Sequence, residues 1–186
     1  MKHLNLFAFG QTNMEDLSAV LNWVECIPSG QGSLNRIKRH SPISAIRLMP
    51  TLKALVQLGL LAGNQEHFDI TQSGEYFAKS GPMLRKAILR AQLLKFDEVQ
   101  RIVELLGTST SGTLPKKMVN ESFGLAAPAV VMETEIQAFI VWAESCDLFG
   151  YDKKNDQIFQ IEHGLPRRRQ EKSKSQSHLT LVPRAS

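Results

Sequence analysis

The chain has 186 residues, 42% hydrophobic and 22% charged, which is enough for one good core or two small ones. No run of about eighteen apolar residues occurs, so a membrane-spanning helix is excluded. Met1–Gly10 carries one lysine and a short apolar stretch without a small-residue cleavage site, so a cytoplasmic location is expected. The pI near 9.2 describes a tail and not a fold. From His163 to Ser186, Arg167, Arg168, Arg169, Lys172, Lys174 and Arg184 face Glu171 alone, a net of +5, which leaves the other 162 residues at −1 within a total of +4. Such a solvated charge tail reads as disordered, and its Leu181-Val182-Pro183-Arg184 resembles a protease-site scar.

Taken in chain order, Asn13 is a fair N-cap, with Asp16 in the first turn and Leu17, Val20, Leu21 and Val24 at i, i+3, i+4 and i+7; a helix of about three turns is expected. Pro28, Gly30 and Gly32 stop it, Gly30-Gln31-Gly32-Ser33 reads as a loop, and Ser33 caps a short helix through Ile37 to about Arg39. After the Ser41-Pro42 turn a third helix is expected from Ile43 to Leu58. Pro50 either kinks it or opens its main portion, and Gly59 ends it. Leu60-Leu61, the turn at Gly63-Asn64 and Phe68-Asp69-Ile70 form a hairpin, and Thr71 caps a helix to Lys79. Three helices followed by a hairpin wing is the order of a winged helix-turn-helix unit.

A helical stretch from Met83 to Leu106, interrupted near Lys95-Phe96-Asp97, precedes a second pass through the same order. It comprises a helix from Asp97 to Leu106, a loop from Ser109 to Thr113, a helix from Lys116 to Ser122, a long apolar helix from about Pro128 to Phe149, and a hairpin through Tyr151 to Ile161. Leu58-Gly59-Leu60-Leu61 and Leu148-Phe149-Gly150-Tyr151 stand at matching places in the two passes. The fold expected is mainly α with small β-hairpin wings, a tandem of winged helix-turn-helix units. The divisions are an N-terminal extension over 1–12, a first unit over 13–82, a linking helix and degenerate second unit over 83–162, and the basic tail over 163–186.

Three separated segments carry a family resemblance. They are Arg47-Leu48-Met49-Pro50-Thr51-Leu52-Lys53 with the following Ala54-Leu55-Val56-Gln57-Leu58-Gly59-Leu60, then Ile70-Thr71-Gln72-Ser73-Gly74-Glu75-Tyr76-Phe77-Ala78, then Arg85-Lys86. Together they resemble the AAA-associated C-terminal domain, a region appended to ATP-binding subunits of nitrate, sulfonate and bicarbonate type ABC transporters. Ile140-Val141-Trp142-Ala143-Glu144 through Leu148-Phe149-Gly150-Tyr151-Asp152 is similar to that family's closing tryptophan, acidic, phenylalanine and tyrosine-aspartate pattern, so the resemblance spans about Met14 to Ile161. It implies a partner ATPase. The chain itself has no Gly-x-x-x-x-Gly-Lys-Ser/Thr phosphate loop, and it has Ala45-Ile46-Arg47 where the family tends to place acidic residues.

No catalytic constellation emerges. The histidines at 3, 40, 67, 163 and 178 share no ligand spacing with one another or with Cys26 and Cys146, and both cysteines read as small core hydrophobes. The pairs Glu15-Asp16, Asp97-Glu98 and Glu133-x-Glu135 suit helix starts and outer faces. No enzyme activity, metal or cofactor is expected, and the oligomeric state is left open.

The clearest functional signal is that Ile27 to Gln65 contains no Asp or Glu but holds Arg36, Lys38, Arg39, Arg47 and Lys53. In a winged helix these residues, with His40 and Ser41, would contact phosphates or guanine edges of duplex DNA, assisted by Arg167, Arg168 and Arg169 of the tail. Solvated surface is the plainer reading of the same charges. Gly107 to Gly150 has Lys116 and Lys117 against Glu121, Glu133, Glu135, Glu144 and Asp147, a net of −3 that repels phosphate. The second unit therefore suits packing or protein contact, with Ala126 to Met132 as core or partner surface. The leading expectation is a non-enzymatic regulator that binds duplex DNA. The alternative is a protein-interaction domain docking onto or regulating an ABC-type transporter ATPase, and a third reading is a remnant of a larger ATPase.

Overall fold

The computed structural model describes residues 4–27, 31–64, 66–124 and 130–161. The basic tail and the stretch at 125–129 lie outside them, so the expectations placed on Arg167, Arg168 and Arg169 do too. Within the described residues the fold is mainly helical, with small antiparallel strand pairs.

The N-terminal segment forms α1 (Leu6–Gly10), with Leu4, Leu6, Ala8 and Phe9 buried in the core. Next come α2 (Met14–Glu25), β1 (Gln31–Ser33), α3 (Leu34–His40), α4 (Ala45–Gln57), β2 (Leu61–Gly63) and β3 (His67–Ile70). Two connecting helices, α5 (Gln72–Lys79) and α6 (Pro82–Leu93), lead to α7 (Asp97–Thr108), β4 (Thr113–Pro115), α8 (Lys116–Ser122), α9 (Val130–Ser145), β5 (Gly150–Asp152) and β6 (Gln157–Phe159). The order helix, strand, helix, helix, hairpin therefore occurs twice, and each copy closes a three-stranded antiparallel sheet, β1-β3-β2 and β4-β6-β5.

The capping chemistry explains the boundaries. Asn13 accepts the Asp16 N–H (2.8 Å), Ser33 that of Arg36 (3.4 Å) and Thr71 that of Gly74 (3.1 Å), each supplying an orphan donor of a first turn with an acceptor. Pro50 lies inside α4, fully within the buried side of that helix, and does not open it. Thr51 donates to the Arg47 carbonyl (2.7 Å) one turn back.

Strand β1 takes up Gln31–Ser33, which reads as loop in the sequence, while Ser109–Gly112 is a loop as expected and only Thr113, its last expected residue, belongs to β4. Each strand is three residues long and has no apolar alternation of its own; pairing with the hairpin makes it a strand, through Gln31↔Asp69 to Ser33↔His67 and Thr113↔Phe159 to Pro115↔Gln157. The long apolar helix ends at Ser145 and not at Phe149. Asp147 adopts φ 55°, and Leu148 N–H reaches back to the Ala143 carbonyl (2.8 Å). Helix α4 stops in the same way, with Gly59 at φ 68° and Leu60 N–H on the Leu55 carbonyl (2.9 Å). The structural partner of Gly59 is thus Asp147, two residues before Phe149, which stands opposite Gly59 in the matched segments. Asparagine and aspartate are among the few non-glycine residues that visit this region routinely.

The residues behind the family resemblance turn out to be joints. The Thr71 hydroxyl is shared between the Gly59 (2.7 Å) and Leu60 (3.1 Å) carbonyls, tying the end of α4 to the start of α5. At Gly74 a Cβ would stand 2.0 Å from the Leu60 carbonyl oxygen and 2.9 Å from Ile70 Cγ1, so only glycine allows that closeness. Arg85 donates to the Phe77 (3.1 Å) and Ala78 (2.8 Å) carbonyls at the end of α5 and to the Asn22 side chain (3.3 Å) on α2, with its guanidinium 5.4 Å from the Phe77 ring. Lys86 meets Asp147 at 3.1 Å, binding α6 to the turn after α9. In the second copy, Glu144 accepts the Tyr151 N–H (3.0 Å), and the Tyr151 hydroxyl donates to Asp156 (2.5 Å), which pushes its pKa up to about 12.

One hydrophobic cluster runs through both copies. Edge-on ring pairs mark its path: Phe9 with Trp142 (5.4 Å), Phe123 with Phe139 (5.1 Å) and Phe139 with Phe149 (5.9 Å). Of the two cysteines expected in the core, Cys146 is buried and its thiol pushed up to about 12 by burial. Cys26 is exposed, because it is the C-cap of α2 and lies past that helix's apolar stripe.

Two outcomes test this fold. Gly74→Ala forces a backbone shift and should cost about 2 kcal/mol, lowering Tm by about 4–8 °C in a thermal melt; an unchanged melt would contradict the close approach. A thiol-specific reagent should titrate one cysteine in the native chain and two after denaturation, since the Cys146 thiol stays protonated below a pH near 12. Two fast native equivalents would show that the end of α9 opens readily.

Candidate functional site

In a winged-helix unit the third helix and the wing form the surface that meets a partner, so the exposed parts of α4 and α9 come first. Helix α4 buries Leu48, Pro50, Thr51, Leu52, Ala54 and Leu55. Left outside are Ala45, Ile46, Arg47 and Lys53, with Met49, Val56 and Gln57 half-buried. Ile46 is 85% exposed, an unusual position for so apolar a side chain.

Arg47 belongs to a different part of the molecule. Its guanidinium meets the carboxylate of Asp16 on α2 at 3.0 Å, and the Asp16 side chain is 5% exposed. Removing the arginine would leave that carboxylate buried and uncompensated, so this pair is structural. Counting charge between Ile27 and Gln65 could not find it, because the partner lies upstream of the counted stretch. With Arg47 held there, Lys53 is the cation of the outward arc of α4 without an ion-pair partner among the described residues, and it lies among Ile46, Met49 and Val56.

The other sequence-selected cations sit on α3. Arg36, Lys38, Arg39 and His40 are all exposed, while Ile37 anchors the helix in the core. Ser41 is the C-cap of α3 and accepts the Ile43 N–H (3.2 Å), a turn-forming role. The structure thus places the four basic α3 residues, all exposed, on one short helix.

Between α1, α4 and the β2–β3 hairpin lies an open groove of about 420 Å³. Phe7, Met49, Val56 and Phe68 form its apolar walls, Asn5, Gln57 and Asn64 supply amides, and Lys53 is the charged residue among the described residues that line it. Phe7 stands 49% exposed while its neighbours Leu6 and Ala8 are buried, which makes α1 a wall of the groove. Sequence reading missed this site because Phe7 lies in what reads as an extension; the signal available was the alternation of Leu4, Leu6, Ala8 and Phe9 around it.

The matching arc of the second copy has a different character, with Val141 of α9 53% exposed beside an open groove of about 410 Å³ that Phe9, Glu15 and Trp142 also line. Helix α9 has no Lys or Arg, buries Ile136, Phe139, Ile140, Trp142 and Ala143, and packs against α1. Lys116 on α8 is buried against Glu133 and Gln137 of α9. Among the described residues no group of three or more His, Cys, Asp and Glu is placed to hold a metal, and no helix is long and apolar enough to cross a membrane.

No curated protein and no solved structure matches the chain. A family model, the C-terminal AAA-associated domain, matches residues 37–152, from within α3 to the last residue of β5. The match covers more than half of the chain and takes in α4, the Thr71–Gly74 joint, Arg85 and the Glu144–Tyr151 tie, while α1 and α2 lie before it. The chain belongs to the C-terminal AAA-associated domain family.

Proposed function

We propose that this chain is a non-enzymatic accessory module that docks onto the ATP-binding subunit of an ABC-type transporter, using the outward arc of α4. One observation carries the reading. The helix that would read a groove in DNA presents Ile46, Met49 and Val56 around a single lysine, and phosphate contacts need a row of cations. An exposed apolar arc suits protein contact, where apolar anchors at helical spacing supply most of the affinity. Family membership supports the ATPase as the partner class, since the resemblance is to a region joined to such subunits.

A second reading, duplex DNA binding by a cytoplasmic transcriptional regulator, is favoured by Arg36, Lys38, Arg39 and His40 standing exposed together on α3. On that reading α3 and the Arg167–Arg169 tail hold the phosphate backbone, and sequence specificity is weak.

The two separate in one set of titrations with the full chain. A purified ATP-binding subunit lacking its own C-terminal AAA-associated domain should bind with a Kd of about 1–10 μM, and Ile46→Glu should weaken it at least about tenfold with an unchanged melt. Mixed duplex DNA at ~50 and ~200 mM salt should show only weak binding that the triple Arg167, Arg168 and Arg169 to Ala variant removes. Tight DNA binding that survives the tail variant and is lost when Arg36, Lys38 and Arg39 are neutralised would overturn the docking reading.

A further inference from the structure

The groove beside α4 says what kind of segment it takes, and this inference rests on the docking reading above. Ile46, Met49, Lys53 and Val56 stand at i, i+3, i+7 and i+10, a single stripe along a helix of 13 residues, or about 20 Å. Phe7 from α1 and Phe68 from β3 extend it sideways, so the apolar floor is bounded on one side by a helix and on the other by the hairpin. A second helix laid along that stripe would bury apolar residues at its own i, i+3, i+4 and i+7 positions.

Charge selects among occupants. Among the described residues lining the groove Lys53 is the ionised group, and the sequence around it holds no Asp or Glu from Ile27 to Gln65. An unpaired ammonium covered by an apolar partner would be costly, so the occupant must bring a carboxylate to it. This chain's own residues 163–186 are unsuited, with Arg167, Arg168, Arg169, Lys172, Lys174 and Arg184 against one glutamate. A second copy docking through the same arc would oppose Lys53 to Lys53 across a two-fold axis. Nucleic acid would meet apolar side chains where it needs cations. We propose that the α1–α4–hairpin groove binds an amphipathic helical segment of the partner protein, with apolar anchors on Met49, Val56, Phe7 and Phe68 and an acidic residue paired to Lys53.

The test uses the full chain and two fluorescein-labelled amphipathic peptides of about sixteen residues, identical in their leucine anchors, one flanked by glutamates and one by lysines. The glutamate peptide should bind at least about tenfold more tightly than the lysine peptide, and Lys53→Glu should invert that order. Phe7→Ala should weaken the glutamate peptide about fivefold or more without altering the far-UV circular dichroism. Equal binding of the two peptides, or an order unchanged by Lys53→Glu, would overturn the proposal. The parent reading is tested separately by the ATP-binding subunit. If the subunit binds and responds to Ile46→Glu but not to Lys53→Glu, the groove proposal fails and docking stands. If the peptide preference inverts as expected while the subunit does not bind, the groove proposal stands and the ATPase reading fails.

Discussion

The packing of α1 between α4 and α9 governs what this molecule can show to a partner. Phe9 is wholly buried and meets Trp142 edge-on at 5.4 Å. Just beyond α1, Thr12 shares a 2.7 Å hydrogen bond with Thr51 on α4. Truncating a ring buried to that extent costs about 3–5 kcal/mol, a large part of a domain's net stability. The helix of five residues that supplies it has no stability of its own and exists through this contact. Because Phe9 of α1 packs on Trp142 of α9, the second copy becomes a packing partner for α1. Because Phe7 is left facing out, the first copy gains a groove.

The same pattern of twin helices and unequal exposure accounts for the electrostatics. The cations that look like one anion-seeking surface in sequence divide three ways in space. Arg47 neutralises a buried aspartate, Lys53 lies among the apolar residues of the α4 arc, and Arg36, Lys38, Arg39 and His40 are exposed on α3. On the docking proposal, a partner laid over Lys53 would take it out of open solvent, and its charge would then act more strongly than those of the screened, exposed α3 cations.

Much of the fold is legible in the sequence, because caps and apolar periodicity are local. Asn13, Ser33 and Thr71 each mark the start of the helix they cap, and Leu17, Val20, Leu21 and Val24 mark the buried side of α2. What is not legible depends on contacts distant in sequence. Strands β1 and β4 are three residues each and acquire their state from the hairpins they pair with. Cys26 escapes burial by one position past a helix end, and Asp147 takes the place a glycine usually holds. The site divides likewise: the α3 cations are visible as residue types, whereas the Arg47–Asp16 pair and the Phe7 wall require the tertiary fold. The segments that carry the family resemblance proved to be joints of the scaffold, such as Thr71, Gly74, Arg85 and Glu144, which explains why they identify the fold more readily than the function.

On the docking proposal the exposed arc of α4 and its groove, and not α3, form the binding surface. Amide hydrogen exchange on the full chain, with and without a saturating ATP-binding subunit, tests it most directly. New protection is expected in α1, α4 and the β2–β3 hairpin, with α3 and its Arg36–His40 segment unchanged. Protection confined to α3, or appearing there only when duplex DNA is added, would contradict it.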